Sequence, residues 1–151
     1  MTHNARTSNC RLERASRLGF DLVQISGISE SIRAFGDAFT QRVFTHDELA
    51  YARRGEGLMA ERLAARFAAK EAVIKALQLS EAGIAWHDIE VHKREDGSCD
   101  VRLHGRAAAA AAAMGVDELL LSLTHDGDYA AAMVLAHGAA PAPDFHQNGA
   151  V

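Results

Sequence analysis

A chain of 151 residues is long enough for one domain with a substantial core. Its 48% hydrophobic and 24% charged residues are the mix of an ordinary globular protein, and a net charge of −4 gives no electrostatic footing for nucleic acid. No apolar run is long enough to span a bilayer, and no signal-type segment follows Arg6, Arg11, Arg14 and Arg17. Cys10 and Cys99 stand too far apart for a metal or redox motif, and the histidines form no His-x3-His pair, so zinc is not expected. The expected setting is the reducing cytoplasm, with no membrane attachment.

Residues 1–16 are polar and read as a loose leader. Residues 18–25 alternate as a strand, with Leu18, Phe20 and Leu22 on one side and Gly19, Asp21, Val23 and Ile25 on the other. Asp21 is an acid among apolar neighbours, a costly placement without a cation or N–H partners. Two readings stand open: a functional ligand, or a strand-end acid that bonds a loop. Ile28, Ile32, Phe35, Phe39 and Val43 recur at helical spacing over 28–44, with a bend expected at Gly36. Thr45 and Glu48 form a capping box opening a short helix through Ala52, and Gly55 and Gly57 end it.

A long helix is predicted from about Leu58 to Leu79, uninterrupted by Gly or Pro. Leu63, Phe67, Ile74 and Leu77 define its apolar face, and Phe67 and Ile74 are expected to hold it against a sheet. Glu71 lies on the shoulder of that face and Lys75 one turn further on. By spacing alone they read as a routine surface pair, and a functional reading needs a second carboxylate elsewhere in the chain.

Beyond Gly83 the period becomes two. Trp86–Lys93 and Cys99–His104 read as a hairpin around the turn Glu95-Asp96-Gly97-Ser98. Seven alanines up to Met114 form a closely packed short helix. Glu118–Thr124 and Tyr129–Ala136 are strands joined by a turn at 125–128, and the tail from 138 has the composition of disorder. The order predicts an α+β domain over 17–137, an antiparallel sheet packed on the long helix.

Five segments in this order carry a resemblance: Gly19-Phe20-Asp21-Leu22-Val23, Phe44-Thr45-His46-Asp47-Glu48-Leu49, Arg66-Phe67-Ala68-Ala69-Lys70-Glu71-Ala72 with Lys75-Ala76-Leu77, Trp86-His87-Asp88-Ile89-Glu90-Val91, and Leu121-Ser122-Leu123-Thr124-His125 with Tyr129-Ala130-Ala131-Ala132-Met133. Together they resemble the holo-acyl-carrier-protein synthases, the small type of 4′-phosphopantetheinyl transferase. The resemblance implies a phosphopantetheinyl transferase-like fold, a homotrimer with sites between subunits, and transfer of the phosphopantetheine arm of coenzyme A to a serine of an acyl carrier protein, releasing 3′,5′-ADP. It implies Mg²⁺ held by Asp21 and Glu71, which suits that ion's demand for oxygen ligands. Glu71, or a water on the metal, would be the general base, Lys75 would contact phosphate at the reacting centre, and Arg66 and His125 would bind coenzyme A phosphates. Asp88 and Glu90 read as solvated strand residues.

The chain departs from the family pattern at Gln24, at Gly27 where an arginine is usual, and at Gln78-Leu79-Ser80 where Gly-Thr-Gly is usual. Arg33, Arg42, Arg53 and Arg54 remain to meet an acidic carrier. The departures fit a synthase serving a specialised carrier. The alternative is a trimeric carrier-binding relative that has lost turnover.

Overall fold

A computed structural model describes residues 14–139. The strands are β1 (Arg14–Gln24), β2 (Ile89–Lys93), β3 (Cys99–Leu103), β4 (Val116–Asp126) and β5 (Tyr129–Ala139). The helices are α1 (Ile25–Val43), α2 (His46–Ala52), α3 (Met59–Leu77) and α4 (Gly105–Ala113), with a short 3-10 turn at Trp86–Asp88. A three-stranded antiparallel sheet runs β1-β5-β4, and β2 and β3 form a separate hairpin. The expected α+β architecture is present, divided into two sheets. Among the described residues no helix is long and apolar enough to cross a membrane.

The strand edges correct the sequence reading. β1 begins at Arg14, inside the expected leader, because it pairs along its whole length with β5, from Arg14↔Ala139 to Gln24↔Tyr129. Ser16 Oγ and His137 Nδ1 meet across that pair at 3.0 Å. Polar and small residues hid both ends: a Cβ at Gly138 would sit 1.9 Å from the Gly115 carbonyl oxygen, so the expected tail is strand as far as Ala139. The rest of the leader (1–13) and of the tail (140–151) lies outside the described residues. The β4–β5 turn is only Gly127-Asp128, and His125 and Asp126 belong to β4.

The bend in α1 falls at Gly36, with φ 53° and ψ −133°. The Thr45–Glu48 capping box is formed.

Helix α3 is the axis of the domain. Leu63 and Leu77 are fully buried and Ile74 packs against the sheet-side core, as expected of the apolar face, and the alanines of the helix share that packing. Ala68, Ala69, Ala72 and Ala76 lie in one core cluster with Ala132, Val134 and Ala136 of β5. Small side chains on both partners let helix and sheet approach closely. The tightest point is Gly19, where a Cβ would lie 1.9 Å from the Ala72 carbonyl oxygen. Phe67 instead stacks on Trp86, ring centroids 5.2 Å apart, beside the cluster that α1 and α2 make with the start of α3.

β1 alternates as predicted, and the sides have unexpected partners. Gly19, Asp21 and Val23 turn toward α3, while Leu18, Phe20 and Leu22 are 62, 52 and 56% exposed. Leu120 and Met133 continue that outer face. A contiguous exposed apolar sheet face of this kind marks an interaction surface.

Candidate active site

Two groups of polar residues flank α3. The first is built on the Gly19 contact. With β1 pressed against α3, Asp21 reaches the helix two residues further along the strand, and its side chain is 15% exposed. Lys75 Nζ donates to Asp21 Oδ1 at 2.7 Å and to the Phe20 carbonyl at 3.1 Å. That bond to Asp21 holds the Lys75 ammonium above its ordinary pKa. Glu71, half-buried one turn earlier, is pushed up mainly by burial and then by the charge of Asp21, with Lys75 opposing. The three predicted residues therefore converge: two carboxylates that repel one another, and one cation shared between them. Among the described residues no set of three or more His, Cys, Asp or Glu groups is placed to hold a metal, and Asp21 and Glu71 are the two carboxylates of this group.

The second group surrounds Arg66. Arg66 is 3% exposed, and its Nη1 donates to the Arg62 carbonyl at 3.1 Å. Nε and Nη2 are buried and have no hydrogen-bond partner. Burial, the largest influence, lowers the Arg66 pKa, and neighbouring Arg62 adds to it. A buried cation with free donors is a strained arrangement that an anion would relieve. Arg66 lines a pocket of about 520 Å³ with Tyr51, Arg62, Cys99 and His125, and a second, of about 400 Å³, with Tyr51, Arg54 and His92. His125 projects from the inner face of β4 into the larger pocket, its Nε2 3.5 Å from Glu61 Oε1.

The two groups do not meet within one chain. Around α3, Glu71 projects about 140° from Arg66 and Lys75 about 180° from it. Asp21, Glu71 and Lys75 line neither pocket.

Several residues escaped the sequence reading. Lys70 was seen only as part of a motif, yet it is fully buried and pairs with buried Glu48 at 2.9 Å. It also donates to the carbonyls of Trp86 and Ile89, while Glu48 accepts from the N–H groups of Thr45 and Val91. One capping residue thus ties α2, α3 and β2 together. Its signal was the Lys70 charge amid alanines. Asp128 caps α1 from a distance, accepting from Ser26 N at 2.8 Å and Ser26 Oγ at 2.6 Å. Asp88 is no free strand residue either: it bonds Ala85 N and lies against Gly105, and Glu90 lines the smaller pocket.

At the departures the backbone is well closed. Gln78 takes φ 53°, and Leu79 N–H returns to the Ile74 carbonyl at 2.9 Å, a Schellman end to α3 with Leu79 buried. Gly27 leaves the first turn of α1 open, for a Cβ there would meet only Gln24 Cβ at 3.9 Å.

Carboxylates at one side of the helix and orphaned guanidinium donors at the other are the furniture of an enzyme that handles phosphate groups. Residues 17–134 match the 4′-phosphopantetheinyl transferase superfamily, and the chain belongs to it, among the holo-acyl-carrier-protein synthases. The holo-[acyl-carrier-protein] synthase of Koribacter versatilis is 40% identical over 118 residues, 78% of this chain and 94% of the relative. That of Moorella thermoacetica is 44% identical over 119 residues, 78% and 90%. Among solved structures, the ACPS–CoA complex of Chronobacterium ammoniagenes has a TM-score of 0.73 at 37% identity, covering 82% of this chain and 98% of that one. The coenzyme A complex of the Helicobacter pylori synthase has a TM-score of 0.69 at 25% identity, covering 79% and 98%.

Proposed function

We propose that this protein is a cytoplasmic, Mg²⁺-dependent holo-acyl-carrier-protein synthase. It moves the 4′-phosphopantetheine arm of coenzyme A to a serine of an acyl carrier protein and releases 3′,5′-ADP. The observation that carries the reading is the convergence of Asp21, Glu71 and Lys75 where Gly19 brings β1 onto α3. The names and the coenzyme A complexes of its relatives point the same way.

The donor set fits Mg²⁺. Two mutually repelling carboxylates offer the hard oxygen ligands that ion takes, and waters and a substrate phosphate complete its shell in sites of this kind. When bound, Mg²⁺ would neutralise the pyrophosphate of coenzyme A and charge developing on the departing phosphate. The chain's own groups supply the rest. Arg66 and His125 hold phosphates in the larger pocket, where the unpaired Arg66 donors find an acceptor. Glu71, its proton affinity raised by burial, takes the proton of the carrier serine. The serine oxygen forms its bond to the phosphorus of the phosphopantetheine arm as the bond to the ADP oxygen breaks. Lys75 donates to the oxygen that gains charge.

Because the carboxylate group and the Arg66 pocket lie on opposite sides of α3, a working centre draws one group from each of two chains. The exposed face of Leu18, Phe20, Leu22, Leu120 and Met133 is the surface through which three copies would join. Carrier docking falls to α1, where Arg33, Phe35 and Arg42 are exposed. With Gly27 in place of the usual arginine, the preferred carrier is a specialised one.

The reading is tested by incubating the protein with coenzyme A, Mg²⁺ and a panel of apo-carrier proteins. It expects 3′,5′-ADP released in step with carrier modification, and one carrier turned over fastest. No ADP with any carrier would overturn it, and equal rates on all carriers would remove the specialised-carrier part.

A further inference from the structure

Tyr51 stands at the C-terminal end of α2, and two guanidinium groups share its ring. The Arg66 guanidinium carbon lies 4.1 Å from the ring centroid and that of Arg62 4.8 Å. Arg62 Nη1 also donates to the Tyr51 carbonyl at 3.2 Å, so one residue holds Arg62 by both backbone and ring. Gly55 closes the other side of Arg62, because a Cβ there would come within 3.0 Å of both terminal nitrogens. Arg66 receives far less support: Nη1 donates to the Arg62 carbonyl, while Nε and Nη2 have no hydrogen-bond partner among the described residues. An aromatic face attracts a cation most strongly when water is excluded, and Arg66 is 3% exposed. The ring thus offsets part of the cost of a buried, underbonded charge.

Tyr51 is itself held in place. It lies three residues after Glu48, whose buried pair with Lys70 pins α2 to α3. Both Arg62 and Arg66 line the larger pocket, and the Tyr51 ring forms part of its wall.

We propose that Tyr51 is the positioning residue of the phosphate pocket: its π-face keeps the Arg62 and Arg66 guanidiniums side by side, set to receive a phosphate-bearing ligand. The inference rests on the coenzyme A reading for the identity of that ligand, and on the ring geometry alone for the class. The two cations repel one another, so an anionic group in the pocket that both line relieves both. Without the ring, Arg66 would be free to leave the orientation that matches the ligand.

The test compares Tyr51→Phe, which keeps the π-face, with Tyr51→Leu, which keeps apolar bulk and loses it. Binding is measured by calorimetry with coenzyme A and, separately, with inorganic pyrophosphate, and folding is checked by thermal unfolding. Tyr51→Phe should bind both ligands as wild type does. Tyr51→Leu should bind both about tenfold more weakly, the scale of a desolvated cation–π contact. In steady state the loss should fall on KM for coenzyme A, with kcat little changed. Tyr51→Leu binding as tightly as wild type would overturn the proposal and leave the synthase reading intact. Wild type that binds pyrophosphate but not coenzyme A, with Tyr51→Leu weakened, would uphold the proposal and overturn the synthase reading. Wild type that binds neither would overturn both.

Discussion

Lys70 Nζ and Glu48 Oε2 meet at 2.9 Å, with both side chains sealed from solvent. The further hydrogen bonds of this pair go to backbone: Lys70 to Trp86 and Ile89, Glu48 to Thr45 and Val91. Removing one partner strands the other's charge in the core. Lys70→Met should therefore cost about 3–5 kcal/mol of stability. In Glu48→Gln/Lys70→Met neither charge remains and the amide keeps an acceptor for the backbone, so more than half of that loss should return. Denaturant unfolding of the three proteins checks it; a single-variant cost below about 1 kcal/mol would show the pair to be dispensable.

Gly19 makes a different kind of prediction, one about distance. A methyl group there would stand 1.9 Å from the Ala72 carbonyl oxygen and 2.8 Å from Ala76 N, both backbone atoms that cannot turn aside. Gly19→Ala must push β1 off α3, costing about 1–3 kcal/mol, the range for overpacking. Asp21 moves with the strand, so activity should fall more steeply than stability. Gly27→Ala, in a helix and with only Gln24 Cβ near at 3.9 Å, is the control and should not lower stability.

Glu71 should titrate above the ordinary carboxylate range in metal-free protein, because burial and Asp21 both favour its protonated form. An acid whose pKa is raised by folding binds its proton more tightly when folded. Its contribution to stability is therefore full below the ordinary carboxylate pKa and is lost as pH rises through the folded value. Asp21→Asn should bring the Glu71 pKa down, and Lys75→Met should raise it further. Carboxyl NMR titration of the three proteins decides the matter; a Glu71 pKa indifferent to both changes would separate it from Asp21 and Lys75.

The sequence showed the chemistry of the site more readily than its packing. Asp21 and Glu71 stood out because a carboxylate among apolar neighbours is expensive, and that cost is visible in the local pattern. The helices and the β2–β3 hairpin were legible from period and turn chemistry, and the Gly36 bend from a residue that tolerates positive φ. What stayed hidden depended on partners distant in the chain. Nothing local says that Asp128 caps a helix about a hundred residues earlier, or that Glu48 reaches Lys70. The packing role of the alanines in α3 was masked for a related reason. A small residue carries little hydropathy signal, and its value lies in how near it lets another backbone come. The same holds for the ends of β1 and β5, where Ser16, His137 and Gly138 read as polar or flexible until paired.

A centre divided between two chains can be rebuilt from two damaged ones. Arg66→Ala spoils the pocket half and Glu71→Gln the carboxylate half, so each protein alone should be inactive. In trimers re-formed from an equal mixture, roughly a quarter of the sites should pair two intact halves and recover that share of activity. Mixed trimers without any recovery would place both halves in one chain.

The most direct measurement is the intact mass of an apo-acyl carrier protein after incubation with coenzyme A, with and without Mg²⁺, and with the wild type, Asp21→Asn or Glu71→Gln protein. The account predicts the gain of one phosphopantetheine group on the carrier serine with wild type and Mg²⁺, and little or none when the metal or either carboxylate is removed. Carrier modified at the wild-type rate by Glu71→Gln, or a full gain in mass without divalent metal, would contradict it.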